Sequence, residues 1–254
     1  MLICRYKTTK GSQYGVVNGR DVFALRDDLF GDSLQAREHI GVIDDVQLLV
    51  PVAPSKIVCV GRNYAAHAQE LGNEVPTEPL LFFKPPSSLI PHQDPILLLS
   101  QMGKVDHEAE LAVIIGKQAK NVTASNALDY VVGYTCGNDI SDRDFQKKDG
   151  QWTRAKGFDT FCPLGPWINT DLDPSNIAIT CMVNGDKRQE GHTSQLVFNI
   201  PTLIAHISAI MTLMPGDVIL TGTPAGVGPI HDGDIVEVVV EGIGSLTNPV
   251  RKLN

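Results

Sequence analysis

The chain has 254 residues, 43% of them hydrophobic, and its 21 Lys and Arg against 29 Asp and Glu give a net charge of −8. This length and composition indicate a globular protein with one sizeable core and exclude the disordered and fibrous classes. The acidic balance and the lack of a Lys/Arg run argue against nucleic acid or an anionic membrane as a partner. The N-terminus has no apolar leader, and no apolar run approaches the ~20 residues that span a bilayer, so we expect a cytoplasmic protein.

The first residues of the chain predict a small β-rich unit over residues 1–52. Within it, YGVVNGRDVFAL (14–25) places Asn18-Gly19 between two apolar runs, which is typical of a β-hairpin. The proline-punctuated stretch LLVPVAPSK (48–56) then predicts a boundary. We therefore expect a second, larger unit over residues 53–254.

Short strand-like runs separated by turn signals dominate the larger unit. They are KIVCVG, LLFFKPP, ELAVIIG, YVVGYTCGNDI, IAITCMVNG, DVILTGTP and DIVEVVVEG, in chain order. Helical spacing is found chiefly in ASNALDYVV (124–132) and IPTLIAHISAIM (200–211). Six prolines between Pro76 and Pro95 exclude a regular helix there and predict a loop-rich edge. The pattern predicts a mainly β protein with a few short helices, of the α+β class, with antiparallel or mixed pairing.

Charge is concentrated at the start of one apolar run, in VDHEAELAVIIG (105–116). In a strand, Glu108 and Glu110 would point to the same face, about 6.7 Å apart along the backbone, and His107 would point to the opposite face. Two carboxylates side by side repel each other unless a cation joins them. If the strand is half exposed, solvation of both groups is the alternative.

A second acid-rich turn, GNDISDRD (137–144), follows the apolar run YVVGYTCG. It places Asp139, Asp142 and Asp144 at the end of another strand, with Arg143 among them. A third carboxylate from this strand would complete a set of oxygen ligands suited to Mg²⁺ or Mn²⁺. The sequence therefore predicts a divalent-cation site shared by two strands.

Two further fragments contain residue types common in catalysis. In GRNYAAHAQELG (61–72), His67 and Glu70 are three residues apart on a short helical turn, an arrangement of a general base held by a carboxylate. A surface His–Glu pair without catalytic function is the alternative. Lys156, in TRAKGFDTFCP, could supply positive charge to an anionic transition state. The Gly-rich LTGTPAGVGP lacks the GK[ST] ending of a nucleotide-binding P-loop, so we reject that interpretation.

Seven fragments, taken together and in order, resemble the fumarylacetoacetate hydrolase family. They are GRNYAAHAQELG, EPLLFFKP, HEAELAVIIGK, DISDRDFQ, AKGFDTFCPLGP, VNGDKRQEG and ILTGTPAGVGP. The resemblance is strongest to the short single-chain branch of acylpyruvases, oxaloacetate decarboxylases and hydroxyhepta-dienedioate isomerases. It runs from about Lys56 to the C-terminus and covers little of the first fifty residues.

The resemblance implies a mixed β-sandwich roll, a homodimer and a divalent metal, usually Mg²⁺. It implies that Glu108, Glu110 and Asp139 hold the metal, and that His67 and Glu70 form the pair that activates water. By the same resemblance, Lys156 lies beside the metal and the developing anion. The residues matching substrate-contacting positions are Arg143, Gln146 and Thr223.

We expect the substrate to be a 2-oxo acid with a second carbonyl or carboxylate two carbons away. Breaking the C3–C4 bond leaves a pyruvate enolate, whose charge the metal and Lys156 stabilise. Hydrolysis of acylpyruvates such as acetylpyruvate or fumarylpyruvate is the preferred hypothesis, because simple decarboxylation gives His67 and Glu70 no evident purpose. The alternatives are oxaloacetate decarboxylase, 2-hydroxyhepta-2,4-diene-1,7-dioate isomerase and, from another class, a non-catalytic metal-stabilised binding protein.

Overall fold

The structure is a computed structural model that describes residues 1–31 and 34–253. Within these residues β-strands predominate and the four α-helices are short. The strands are β1 (Leu2–Thr8), β2 (Gly11–Asn18), β3 (Asp21–Leu25), β4 (Ala36–Val42), β5 (Leu48–Leu49), β6 (Ile57–Gly61), β7 (Leu80–Lys84), β8 (Leu89–Ile90), β9 (Ile96–Leu98), β10 (Val105–His107), β11 (Ala109–Ile115), β12 (Val131–Asn138), β13 (Ser141–Asp142), β14 (Cys162–Asn169), β15 (Ala178–Val183), β16 (Asp186–His192), β17 (Val218–Leu220), β18 (Gly228–Pro229), β19 (Ile235–Val240) and β20 (Gly244–Lys252). The α-helices are α1 (Ala65–Glu70), α2 (Arg143–Asp149), α3 (Thr153–Lys156) and α4 (Ile200–Ile210).

The strands form three sheets. The largest has twelve strands and runs in the order β4-β3-β2-β1-β14-β12-β11-β17-β6-β7, with β5 beside β1 and β8 beside β14. A five-stranded sheet has the order β16-β15-β19-β20-β9, and a three-stranded sheet has the order β13-β10-β18. Most pairs are antiparallel, whereas β17–β6, β14–β8 and β20–β9 are parallel. The predicted mainly β, mixed-sheet architecture is thus confirmed.

Strand β11 is buried on both faces, which explains why its sequence is a continuous apolar run. On one face, Leu111 and Val113 belong to the main core, together with residues of the five-stranded sheet and α4. On the other face, Ala112 and Ile114 pack with residues of the N-terminal strands and of β6. The metal-site hypothesis concerns the residues at the start of this strand, where the chain enters the core.

The N-terminal unit contains the predicted hairpin. Strands β2 and β3 pair antiparallel around the turn at Gly19, which has a positive φ of 60° that favours glycine. Strand β1 then pairs with β14 of the large sheet, so the N-terminal strands extend that sheet. The division at residues 52/53 stays a prediction.

The helical predictions had different outcomes. The segment IPTLIAHISAIM forms α4, which begins after Asn199, whose side chain accepts a hydrogen bond from the backbone N–H of Thr202. The segment ASNALDYVV forms a 3₁₀-helix over Ala124–Tyr130, and its two valines start β12 instead. Between Pro76 and Pro95 the structure has no α-helix, and β7 forms the edge of the large sheet there.

None of the helices in residues 1–31 and 34–253 has the length and apolarity that crossing a membrane requires.

Candidate active site

Three buried carboxylates converge where the ends of β10, β11 and β12 meet. Ligand oxygens of Glu108, Glu110 and Asp139 lie within 4.8 Å of one another. Each of these residues is at most 4% exposed. The alternative of a solvated, half-exposed glutamate pair is therefore wrong, because both side chains are buried.

The local fold differs from the single continuous strand that the sequence predicts. At Glu108 the chain leaves β10, which pairs in the three-stranded sheet, and enters β11 of the large sheet. The Glu108 N–H donates to Oδ1 of Asn138 (3.0 Å), and the Asp139 N–H donates to the backbone carbonyl of Glu108 (2.9 Å). These bonds hold the ends of two neighbouring strands together, and they bring Asp139 to the glutamate pair.

Three cations surround the carboxylates. The Lys156 Nζ lies 2.9 Å from Oε2 of Glu108 and 2.6 Å from Oδ2 of Asp139. The Lys84 Nζ donates to Oδ1 of Asp139 (2.6 Å) and to the carbonyl of Ile140 (3.1 Å). The Arg143 Nη2 lies 2.6 Å from Oε1 of Glu108. Both lysines are almost fully buried, at 2% and 1% exposure, so their charges depend on these acids for compensation inside the protein.

The charges are unevenly matched within the cluster. Burial acts to raise the pKa of Glu108, but Lys156, Arg143 and His67 outweigh it and hold that pKa well below its ordinary range. Burial acts to lower the pKa of Lys156, but the carboxylates of Asp139 and Glu108 outweigh it and raise that pKa. Glu110 shows the opposite balance to Glu108, since burial and the neighbouring Asp139 and Glu108 raise its pKa well above the ordinary value.

Glu110 provides a test of whether a cation fits the cluster. Its Oε2 accepts one hydrogen bond, from the Gly222 N–H (2.7 Å), and within residues 1–31 and 34–253 no Lys or Arg lies within 4 Å of it. A buried carboxylate beside two others, without a cationic partner, is the environment that a divalent ion would relieve. Carboxylate oxygens are also the ligand type that hard cations prefer. The residues present therefore fit a divalent metal.

Glu110→Gln is expected to stabilise the metal-free protein, and increasingly so as the pH rises. Because the pKa of Glu110 is raised in the folded state, folded protein retains a proton that the unfolded chain releases. The wild type therefore loses stability as the pH rises from the ordinary pKa of a glutamate through the raised one, and glutamine removes that loss. Thermal unfolding of chelator-treated protein across the neutral pH range measures the effect. Parallel pH profiles for variant and wild type would contradict the assigned electrostatics.

The predicted His–Glu pair lies on α1. The Nδ1 of His67 is 3.4 Å from Oε2 of Glu70, at the outer limit of a hydrogen bond. The Glu70 carboxylate also accepts from the Gly226 N–H, at 3.0 Å and 3.2 Å to its two oxygens. His67 is only 4% exposed, so the alternative of a surface His–Glu pair is wrong for the histidine. Long contacts of this kind are common in catalytic pairs without substrate.

Helix α2 supplies Arg143 and Gln146, one turn apart. The Arg143 Nε donates to Oδ2 of Asp106 (2.8 Å), and its Nη1 donates to Oε1 of Gln146 (3.0 Å). Asp142 caps the helix by accepting from the backbone N–H groups of Asp144 and Phe145, both at 3.0 Å. Of the acids in GNDISDRD, Asp139 therefore joins the carboxylate cluster, whereas Asp142 has a capping role.

The candidate site opens onto one cavity of about 520 Å³. The sequence-predicted residues that line it are His67, Glu70, Glu108, Glu110, Asp139, Arg143, Gln146, Lys156 and Thr223. The Thr223 hydroxyl donates to the carbonyl of Ala109 (2.8 Å), so this residue is bound to the backbone between the two glutamates. Arg62, Lys104 and Lys147 also line the cavity, so its wall contains cations as well as carboxylates. The structure thus brings every predicted site residue to the same place, while their individual roles stay predictions.

Sequence reasoning missed Lys84 and Asp106 as parts of the site. Lys84 ends an apolar run and is followed by two prolines, and a charged residue at the end of a buried strand was the available signal. Asp106 is fully buried, binds Arg143, and has one oxygen, Oδ1, without a hydrogen-bond partner among the described residues. The backbone donors Gly222 and Gly226 depend on tertiary contacts and have no signature in the sequence.

The fold and the site define a class of protein: β-sheet proteins with buried carboxylates suited to a divalent cation, next to a His–carboxylate pair. Two family models match the chain. The one described as "Fumarylacetoacetate (FAA) hydrolase C-terminal" matches residues 56–251, and the one described as "Rv2993c-like, N-terminal" matches residues 1–51. The chain belongs to the fumarylacetoacetate hydrolase family, and it is an enzyme of that family.

Three similar proteins show how far the likeness extends. Protein Rv2993c of Mycobacterium tuberculosis is 54% identical over 209 residues, which are 81% of this chain and 79% of that protein. Oxaloacetate tautomerase fahd2, mitochondrial, of Xenopus laevis is 46% identical over 231 residues, with 86% of this chain and 72% of that protein covered. The crystal structure of 5-carboxymethyl-2-hydroxymuconate delta-isomerase from Mycobacterium smegmatis has 47% identity, a TM-score of 0.91 and full coverage of both chains.

Proposed function

We propose that this enzyme hydrolyses the C3–C4 bond of acylpyruvate-type 2,4-dioxo acids, such as acetylpyruvate or fumarylpyruvate. The observation that carries the proposal is the placement of His67 and Glu70 in the same cavity as the carboxylates of Glu108, Glu110 and Asp139. A hydrolase needs both a base for water and positive charge for the departing enolate. This cavity offers groups of both kinds.

The three carboxylates would hold the metal, which we propose to be Mg²⁺, with Mn²⁺ as the alternative. An all-oxygen set of three ligands suits these ions, which commonly keep waters or substrate oxygens in their remaining positions. When bound, the ion supplies Lewis-acid charge to the carboxylate and 2-oxo oxygens of the substrate. The Lys84 Nζ lies 2.6 Å from Oδ1 of Asp139 and holds that carboxylate in place.

The polar side chains around the cluster would bind and orient the substrate. Arg143 presents a guanidinium whose position is fixed by Asp106 and Gln146, which suits it to a substrate carboxylate. Arg62 and Lys147 line the same cavity and have no carboxylate within 4 Å among the described residues. A substrate with a second negative group would place that group near these cations, so we favour fumarylpyruvate over acetylpyruvate.

The chemical step follows from the positions of His67 and Lys156. His67 takes a proton from water through the ring nitrogen that does not face Glu70, and the water oxygen forms a bond to C4. The C3–C4 bond then breaks, its electron pair passes into a pyruvate enolate, and the ammonium of Lys156 stabilises the negative charge. The proton held by His67 is returned to C3, which gives pyruvate and the free acid. Glu70 keeps the imidazole oriented.

A second candidate is tautomerisation or decarboxylation of oxaloacetate. It is favoured by the name of the Xenopus laevis relative, an oxaloacetate tautomerase, at 46% identity over 86% of this chain. Loss of CO₂ from C4 leaves the same pyruvate enolate, whereas loss of a proton from C3 gives the enolate of oxaloacetate itself. In tautomerisation His67 would move the proton at C3 and no water would attack. The isomerase name of the Mycobacterium smegmatis structure suits a related proton shift on a longer diene acid.

His67→Ala separates hydrolysis from decarboxylation. The variant is expected to lose acylpyruvate hydrolysis by about 10²–10⁴-fold, because no base remains for the water, while oxaloacetate decarboxylation changes little. Steady-state rates with both substrates, at saturating Mg²⁺, measure the difference. His39→Ala is the matched control, since His39 pairs with Asp21 (2.9 Å) on the exposed surface. Equal losses of both activities would refute the assigned division of roles.

We also propose that the enzyme is a cytoplasmic homodimer with the domain division at residues 52/53. The dimer is what membership of the family suggests, and the exposed apolar side chain of Phe83 on the edge strand β7 (49% exposed) is consistent with an interface. Light scattering coupled to size exclusion measures the mass directly. A monomer at micromolar concentration would refute the dimer.

A further inference from the structure

Gln189 lies outside the cavity and links two segments that shape the candidate site: the start of β11 and the loop that follows β17. It lies on β16 of the five-stranded sheet and is 1% exposed. Its Oε1 accepts from the Ala109 N–H and from Nδ1 of His107, both at 3.0 Å. Its Nε2 donates to Oγ1 of Thr223 (2.7 Å) and to the carbonyl of Pro224 (2.8 Å). The amide thus makes four hydrogen bonds, which is its full capacity.

The orientation of this amide is fixed by its partners. The Ala109 N–H can only donate and the Pro224 carbonyl can only accept, so a flipped amide would lose both bonds. His107 must then carry a proton on Nδ1, and this N–H donates to Oε1 of Gln189.

The two segments that Gln189 joins are those that shape the site. Ala109 separates the metal-ligand candidates Glu108 and Glu110, and both its backbone groups are engaged, the N–H by Gln189 and the carbonyl by Thr223. Thr223 and Pro224 belong to the loop that follows β17. In that loop the Gly222 N–H donates to Glu110 (2.7 Å) and the Gly226 N–H donates to Glu70 (3.0 Å).

The loop has little room to adjust if the amide is lost. A Cβ on Gly226 would come within 2.1 Å of the Arg188 carbonyl, so the loop backbone is packed directly against β16 next to Gln189. Gly226 also has a positive φ of 99°, a conformation that glycine adopts without strain. The position of the loop is therefore set by contact with the strand that carries Gln189.

We infer that Gln189 is a positioning residue for the metal site, one that sets the spacing of Glu108 and Glu110 and the placement of the Gly222–Gly226 loop without touching the ion. The inference rests on the proposed metal-dependent function. Groups that orient metal ligands typically change metal affinity by about 10–100-fold when removed. Gln189 makes its contribution through the backbone between two ligands.

Calorimetric titration with Mg²⁺ tests this inference on purified, chelator-stripped full-length protein. Gln189→Met has a side chain of similar length without hydrogen-bonding groups, and it is expected to weaken Mg²⁺ binding by about 10–100-fold. Activity should recover at correspondingly higher Mg²⁺.

Asn248→Leu is the matched control. Asn248 is a buried amide in the same sheet that donates to the carbonyls of Pro91 (2.9 Å) and Asp94 (2.8 Å). This variant should lose thermal stability while it keeps wild-type Mg²⁺ affinity.

Each outcome of the titration has a separate meaning. Unchanged Mg²⁺ affinity in Gln189→Met, or an equal loss in Asn248→Leu, would overturn the positioning role and leave Gln189 as a packing residue. Absence of Mg²⁺ binding by the wild type would instead overturn the proposed metal function itself. If Gln189→Met does not fold, Gln189→Glu replaces it, since glutamate keeps both acceptor bonds and loses the two donor bonds. Wild-type affinity in Gln189→Glu would then overturn the inference.

Discussion

The Glu108→Ala variant is expected to lose Mg²⁺ binding and every Mg²⁺-dependent activity together. Glu108 is one of three carboxylates within 4.8 Å, and it also contacts Lys156 (2.9 Å) and Arg143 (2.6 Å). Without it, a bound ion would keep two protein ligands beside an excess of positive charge. Loss of about 4 kcal/mol of transition-state stabilisation corresponds to a rate decrease on the order of 10³-fold. Calorimetry with Mg²⁺ and rates with acylpyruvate and oxaloacetate measure both effects.

The variant should still fold, because Lys156 and Arg143 each retain another carboxylate partner, in Asp139 and Asp106. Glu190→Ala is a matched control, since Glu190 is a strand glutamate paired with Lys187 (2.7 Å) on the surface. The control should bind Mg²⁺ and turn over like the wild type. Mg²⁺-dependent turnover by a folded Glu108→Ala variant would refute the assignment of Glu108 as a ligand.

The Lys156→Met variant is expected to keep the metal and lose the reaction. Lys156 is buried and its raised pKa keeps it cationic between Glu108 and Asp139. Removing this charge removes stabilisation of the enolate and should lower kcat by about 10²–10³-fold for hydrolysis and decarboxylation alike. Because Lys156 and a divalent ion share the same two carboxylates, Mg²⁺ affinity should rise or stay unchanged. The pairing of lost activity with retained affinity distinguishes this variant from Glu108→Ala.

Lys156→Met removes one partner of a buried ion cluster, so its measurements should be made with Mg²⁺ present, which restores positive charge next to the acids. Lys120→Met is the surface control, since Lys120 donates to backbone carbonyls at the end of α4, away from the cavity. Retention of wild-type kcat by Lys156→Met would contradict its role in charge stabilisation. A loss of Mg²⁺ affinity would indicate that Lys156 mainly organises the ligands.

The sequence predicted the fold where local signals and tertiary contacts agree. The Asn18-Gly19 hairpin, helix α4 and the seven apolar runs of the larger unit all occur at the predicted places. The segment ASNALDYVV shows where they disagree. Its helical spacing yields one 3₁₀-helix, and the valines at positions 131 and 132 begin β12, where Val131 pairs with Ile115 of β11. Helical periodicity alone cannot reveal a competing sheet.

The candidate site was predictable in its residues but not in its supporting contacts. Glu108, Glu110 and Asp139 are recognisable because acids at the start of apolar runs are unusual, and the structure places them together. The change of sheet at Glu108 and the contacts of Lys84 and Gln189 depend on strand register between distant segments. Register is set by the whole core, so no short stretch of sequence contains it.

Product analysis tests the central claim most directly. Chelator-stripped and Mg²⁺-reloaded protein would be given acetylpyruvate, fumarylpyruvate and oxaloacetate in parallel, and pyruvate, the released acid and CO₂ would be followed. We expect pyruvate and a free acid from an acylpyruvate, only with Mg²⁺ and fastest with fumarylpyruvate. Pyruvate and CO₂ from oxaloacetate alone would contradict the hydrolase, and His67 and Glu70 would then need a different role.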